Sequence, residues 1–153
     1  MGSIDAVIGL GANLGDRRAT LSAALQAIAA LPGTTVVATS QVRETPPLGP
    51  PQPAFLNAAV RIRTTLSPRA LLDGLLAIEV SFGRVRRERW GPRTLDLDIL
   101  WIDGLIVEEP GLLVPHPSLP ERRFALEPLL DVAPSAVDPR TGASYASVLS
   151  GLC

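Results

Sequence analysis

The chain is expected to fold as an α+β sandwich of ferredoxin-like βαββαβ order, with additional C-terminal elements. Three observations carry this. Short apolar, β-branched or alternating segments occur four times, and apolar residues recur at helical spacing in two stretches between them. Both helical stretches open on a capping residue and close on a breaker. The order strand, helix, strand, strand, helix, strand is that of a split β-α-β unit.

Taken in order, Ile4 to Leu10 reads as a short buried strand ending at Gly11. Asp16 can cap a helix carrying Leu21, Ala24, Leu25, Ile28 and Leu31, which Pro32-Gly33 stops. Thr34 to Val42 is rich in β-branched residues and reads as a strand. Thr45 to Pro53 holds five prolines and one glycine, so it is a stiff irregular loop. Phe55 to Arg63 alternates, with Leu56, Ala58, Val60 and Ile62 on one face and Phe55, Asn57, Arg61 and Arg63 on the other. Ser67-Pro68 supplies a cap and a first-turn proline for a helix with Leu71, Leu72, Leu75, Leu76, Ile78 and Phe82, which Gly83 can end. Leu95, Leu97 and Ile99 then alternate with Thr94, Asp96 and Asp98. Asp103-Gly104 is a two-residue hairpin turn into a strand from Leu105 to Val107. From Glu108 a loop, a short helix near Phe124 to Leu130 and an irregular tail are expected.

Bulk properties exclude several classes of function. The 153 residues are read as one domain, residues 1–153, long enough for a core. A net charge of −1 argues against bulk attraction to nucleic acid or membrane. All 14 basic residues are arginine, which rules out a lysine phosphate loop or Schiff base. The single cysteine is Cys153, so no disulfide framework or thiolate metal site is expected. The uncharged run from Ala19 to Val42 is broken by Gln26, Pro32 and Gly33 and is not read as a membrane span. No basic segment precedes an apolar one at the N-terminus, and a reducing cytoplasm fits.

The chemistry concentrates between Arg84 and Asp98. On an alternating strand Asp96 and Asp98 lie side by side, roughly 6–7 Å apart at Cα. Such carboxylates repel unless a cation sits between them, and hard oxygen ligands suit Mg²⁺. Arg84, Arg86, Arg87, Arg89 and Arg93 fall within ten residues, broken by Gly91 and Pro92. Guanidinium forks grip phosphate oxygens two at a time. A cationic loop leading into a metal-binding strand is what a magnesium-bound nucleoside triphosphate requires, and it points to a phosphoryl-type transferase. The plain alternatives are two solvated aspartates and a solvated arginine loop, with Arg87 the first to assign to bare surface.

The run Arg89-Trp90-Gly91-Pro92-Arg93-Thr94-Leu95-Asp96-Leu97-Asp98-Ile99-Leu100 resembles the signature of the 6-hydroxymethyl-7,8-dihydropterin pyrophosphokinase family of the folate pathway. Ile8 to Asp16 is similar to the family's opening, Thr45 to Pro50 to its pterin loop, and Phe55 to Val60 to the strand after it. Val114-Pro115-His116-Pro117, with Arg122, Arg123 and Phe124, is similar to its last block. Five blocks in register span nearly the whole chain.

The resemblance implies transfer of a pyrophosphoryl group from ATP to the pterin hydroxymethyl oxygen, releasing AMP. It implies two Mg²⁺ on Asp96 and Asp98, with Arg84, Arg93, His116 and Arg122 carrying triphosphate charge. Arg86 and Arg89 would support or close the loop, and Leu72 and the Ile99 backbone would line the adenine. The pterin contacts it implies are Thr45, Pro46, Pro47, Leu48, Phe55, Asn57, Trp90 and Phe124. Asn57 carries an amide donor and acceptor that match a pterin edge, and Phe55, Trp90 or Phe124 can stack on its ring. Core packing, a structural turn at Thr45 to Pro47 and a structural histidine at 116 are the plain alternatives. The block around Gly9, Gly11 and Asn13 reads as a tight strand-to-helix turn; lacking Gly-Lys-Ser/Thr, it is not a Walker loop.

The chain departs from the family where Phe55 stands for a frequent tyrosine, and at Gly111 and Leu113. The loops from Gly49 to Pro53 and from Arg84 to Pro92 are expected to close over substrates. Small molecules are the expected partners, with no nucleic acid and no membrane, and the chain is expected to be a monomer too short for a fused aldolase or synthase. A plain kinase needs the same side chains, so the choice of the β-phosphorus rests on the resemblance. An RNA-binding module and a metal-dependent phosphohydrolase are the rival classes; no strand interleaves aromatic with basic residues as an RNA-binding sheet does.

Overall fold

The computed structural model describes residues 2–13, 15–45, 54–82 and 95–152. Its centre is β1 (Ile4–Ala12), paired antiparallel with β4 (Phe55–Thr64) on one edge and β5 (Asp96–Ile102) on the other. On the far edge of β4 lie β2 (Thr34–Thr39), along its C-terminal half, and β3 (Arg43–Thr45), beside its first residues. The strand order β2-β4-β1-β5, with β3 alongside β4, is antiparallel throughout.

One face is covered by α1 (Arg17–Ala29) and α2 (Pro68–Ser81). Asp16 and Ser67 cap them, accepting from the Ala19 and Ala70 N–H groups at 3.1 Å each. Their Leu21, Ala24, Ile28, Leu71, Leu75 and Ile78 pack on Ala6, Ile8, Leu10, Leu56, Val60, Ile62, Leu97 and Ile99. The opposite face receives α3 (Arg123–Val132) and α4 (Tyr145–Ser150), which bury Val7, Ala59, Leu100 and Trp101. Among the described residues no helix is long and apolar enough to cross a membrane.

The differences from expectation have physical reasons. β1 does not turn at Gly9 to Gly11 but runs on to Ala12, because both glycines are paired on both sides, Gly9 with Ala59 and Asp98 and Gly11 with Asn57 and Asp96. The expected strand from Thr34 to Val42 ends at Thr39, and the chain resumes pairing at Arg43 as β3. Asp103-Gly104 does turn, with the Leu105 N–H donating to Ile102 O at 3.1 Å, but no strand spans Leu105 to Val107. Instead β6 (Val107–Glu109) pairs with β7 (Leu112–Val114) across Pro110-Gly111, where Gly111 holds φ +73°. The expected irregular tail contains α4, anchored by the fully buried Tyr145. The short helix expected near Phe124 is α3.

The alternation of β5 also changes phase. Val7 pairs with Trp101 but Ile8 with Ile99, so Leu100 is an extra residue, a bulge. Before it, Leu97 and Ile99 face α1 and α2; Leu100 itself and Trp101 lie under α3, and Ile102 returns to the first core. Asp96 and Asp98 therefore share the α3 face of the sheet with Gly9 and Gly11.

Candidate active site at the edge of the sheet

Directly paired residues of an antiparallel ladder project from the same face, so register decides which side chains meet. Gly11 lies between Asp96 and Asn57, and Gly9 between Asp98 and Ala59. Arg43 continues the row beyond Asn57, and the Thr45 and Phe55 pair stands one pleat further along. The two glycines form the floor. A Cβ on Gly11 would lie 3.2 Å from Asn57 Oδ1 and 3.7 Å from Phe55 Cδ1, and one on Gly9 3.1 Å from Leu100 Cδ1. A flat ligand can approach the backbone there as no other residue would allow.

The walls are fixed by hydrogen bonds. Asn57 Nδ2 donates to Thr45 Oγ1, which turns Asn57 Oδ1 over Gly11. Arg17 Nη1 donates to Ala54 O at 2.7 Å, holding the chain just before Phe55. Arg122 and Phe124 begin α3, with the guanidinium 5.5 Å from the ring centroid.

On the edge of β5 away from β1 an open cleft of about 330 Å³ is lined by Leu72, Asp98, Ile99, Gly111, Leu113 and His116, among others. The β6–β7 hairpin makes one wall. Arg69 Nη2 holds it to α2 by donating to Glu109 Oε1 at 3.1 Å and Pro110 O at 2.8 Å. Asp98 thus belongs both to the cleft and to the glycine-floored patch.

His116 is oriented from the backbone. Its N–H donates to Leu100 O at 3.0 Å, and the Ser118 N–H donates to its Nδ1 at 3.2 Å. An Nδ1 that accepts leaves the proton on Nε2 of the neutral ring. Burial, then the nearby positive charge of Arg122, lower the imidazole pKa below 6.5, while Asp96 pulls it upward. At neutral pH the ring is an uncharged Nε2–H donor.

Asp96 and Asp98 are half-buried on one strand face, neither in the hydrophobic interior nor fully exposed. Two neighbouring carboxylates of this kind are a donor set for a hard divalent cation.

The structure thus brings Asp96, Asp98, Asn57, Phe55 and Thr45 to one face, and Leu72, Ile99 and His116 to the adjoining cleft with Asp98. Arg122 lies near enough to His116 to act on its charge and faces the Phe124 ring, and Gly111 and Leu113, where a departure from the resembled pattern is expected, line the cleft. Pro46, Pro47, Leu48, Gly83, Arg84, Arg86, Arg87, Arg89, Trp90 and Arg93, and the two loops expected to close, lie outside the described residues.

Sequence reasoning missed Glu79. Its side chain is buried, 1% exposed, and Oε2 accepts from the Leu97 N–H at 2.6 Å, between the two aspartates. The signal was its place beside Ile78 and one turn after Leu75, a charge on the buried stripe of α2.

Comparison with known proteins adds an independent finding. Residues 7–134 match the family profile described as 7,8-dihydro-6-hydroxymethylpterin-pyrophosphokinase (HPPK). A Synechocystis sp. protein named 2-amino-4-hydroxy-6-hydroxymethyldihydropteridine pyrophosphokinase is 45% identical over 137 residues, covering 90% of this chain and 70% of its own. Proteins of the same name from Methylorubrum extorquens and Pseudomonas aeruginosa are each 48% identical, covering 86% and 83% of this chain and 84% and 79% of their own. Among solved structures, an HPPK-DHPS in complex with substrates superposes with TM-score 0.72 at 14% identity, covering 96% of this chain. Plasmodium falciparum HPPK-DHPS with pteroate gives 0.75 at 14% identity over 97% of it. This chain spans 43% and 42% of those two, and at such identity the likeness speaks to the fold alone.

Proposed function

This chain belongs to the 7,8-dihydro-6-hydroxymethylpterin-pyrophosphokinase family, and from that premise we propose that it transfers a pyrophosphoryl group from ATP to 6-hydroxymethyl-7,8-dihydropterin in folate biosynthesis. The hydroxymethyl oxygen attacks the β-phosphorus, the bond from that phosphorus to the α-phosphate oxygen breaks, and AMP leaves. The observation that carries the reading is the double exposure of Asp98, to the cleft on one side and to the patch floored by Gly9 and Gly11 on the other. Two substrates that must exchange a group need a shared boundary, and a pair of carboxylates marks it.

In this reading ATP takes the cleft, with its adenine between Leu72 and the Ile99 backbone. The pterin lies flat on the glycine floor, its edge read by Asn57 Oδ1 and its ring sandwiched by aromatic side chains. Thr45, Pro46, Pro47, Leu48, Phe55, Trp90 and Phe124 complete that subsite. Asp96 and Asp98 would hold two Mg²⁺, which would supply charge neutralisation for the triphosphate and activation of the hydroxyl. His116, as a neutral Nε2–H donor, and the permanently charged Arg84, Arg93 and Arg122 contact the triphosphate, while Arg86 and Arg89 support the loop. Positioning and charge neutralisation supply the rate, with little demand for a strong general base.

We also assign the antiparallel sheet and its helices to the ferredoxin-like arrangement, residues 1–153 to one pyrophosphokinase domain, and the protein to the cytoplasm as a monomer acting on small molecules. Turnover with ATP, Mg²⁺ and the pterin tests the function. AMP and diphosphorylated pterin should form in equal amounts and only when pterin is present. Release of ADP, or of phosphate without pterin, contradicts the proposal.

A further inference from the structure

Two arginines grip the last turn of α3 from the sheet below, and they do so at different distances from the candidate pterin subsite. Arg61, in the middle of β4, donates to both carboxylate oxygens of Asp5 at 2.9 and 2.7 Å and to Val132 O at 3.1 Å. Its ladder neighbours are Val7 and Ala38, under the apolar cover of α3. Arg43 opens β3 and forms a two-pronged pair with Asp131, Nη1 to Oδ2 at 2.7 Å and Nη2 to Oδ1 at 3.0 Å. The Gln41 N–H donates to the same Oδ2 at 3.1 Å. Arg43 is half-buried and Asp131 exposed, so the pair depends on its two-pronged geometry and on the Gln41 N–H rather than on shielding from water. The hydrogen bond from Arg43 also holds the Asp131 carboxyl below its usual range.

The Arg43 pair is joined to the subsite from both sides. β3 is three residues long and is paired with β4 on one side. Its last residue is Thr45, whose hydroxyl receives the Asn57 amide and so turns Asn57 Oδ1 over Gly11. At its other end the link reaches α3, where Phe124 lies seven residues before Asp131, two turns away on the same side of the helix. The geometry points to the Arg43–Asp131 pair as a positioning device that sets the spacing between the Asn57 wall and the Phe124 wall of the pterin subsite. It rests on the function proposed above and adds residues that act through Thr45, Asn57 and Phe124 and touch neither substrate.

The test compares Asp131→Asn and Arg43→Lys with Asp5→Asn, which weakens the sister clamp. Thermal unfolding, kcat and both KM values are read, with pterin binding followed separately by equilibrium fluorescence. Asp131→Asn should raise the pterin KM and Kd about tenfold while the ATP KM moves less than about twofold. Arg43→Lys should fall between it and the parent, since lysine keeps the charge but loses the fork. Asp5→Asn should lower the unfolding temperature and leave both KM values in place. A pterin Kd unchanged in Asp131→Asn, or KM values for both substrates rising together, overturns the inference. Absence of pterin-dependent AMP from the parent protein sinks the function proposal instead, and the Kd series still decides the positioning role.

Discussion

The two faces of the sheet are built from the same strands yet have opposite characters. Under α1 and α2 the strands present Ala6, Ile8, Leu10, Leu56, Val60, Ile62, Leu97 and Ile99, an apolar surface closed by two helices. On the other face α3 and α4 cover Val7, Ala59, Leu100 and Trp101, and the same strands continue into Gly9, Gly11, Asn57, Asp96 and Asp98. The first face is made for stability, since filling it removes apolar area from water. The second is half core and half candidate site, and the change of character falls at the Leu100 bulge, which moves the phase of β5 between aspartates and tryptophan. Substitutions should therefore separate, with damage to activity on one side and damage to stability on the other.

The largest effect belongs to the carboxylates. Asp98→Ala should cut kcat by about a thousandfold or more while the unfolding temperature hardly moves, because the loss falls on charge stabilisation during transfer. Near-full turnover in that variant would erase the proposed division of the faces. Next, Leu75→Ala beneath α2 should cost about 2–5 kcal/mol in denaturant unfolding. Assayed well below its midpoint, it should keep its activity per folded molecule. Gly11→Ala comes third. Its methyl would sit 3.2 Å from Asn57 Oδ1, so the pterin KM should rise roughly tenfold with the ATP KM unmoved. Equal changes in both constants would mean that the glycine floor serves the fold and not the ligand.

The smallest effect is one of pH. His116 titrates below 6.5 in the folded protein. Between that folded value and 6.5 the unfolded chain takes up a proton that the native state refuses, so stability rises with pH across the window. It is lost as pH falls from 6.5 toward the folded value and is fully present above 6.5. Denaturant midpoints measured through this range should fall on acidification in the parent and fall less in His116→Gln.

Much of this arrangement was legible beforehand. Asp16 and Ser67 announce their helices, the alternation of Phe55 to Arg63 gives β4, and the spacing of Asp96 and Asp98 gives a shared face. What escaped is short or set by distant partners. β3 carries no periodic signal in three residues and exists because β4 offers it an edge. α4 spans six residues and is held by burial of Tyr145 rather than by propensity. The Leu100 bulge follows from pairing with β1, which local alternation cannot foresee. Gly9 and Gly11 looked like a turn because glycine usually marks one; here a strand interior needs them for space on one face. The Arg43–Asp131 pair joins residues 88 positions apart, beyond the reach of any local pattern.

The central claim is that Asp96 and Asp98 hold a divalent cation where the two substrates meet. Mn²⁺ titration followed by electron paramagnetic resonance, with a non-hydrolysable ATP analogue bound, measures this directly. The account predicts that Asp96→Asn and Asp98→Asn each weaken Mn²⁺ binding by at least about tenfold while Asp5→Asn does not. Mn²⁺ affinities equal to the parent in both variants would contradict it.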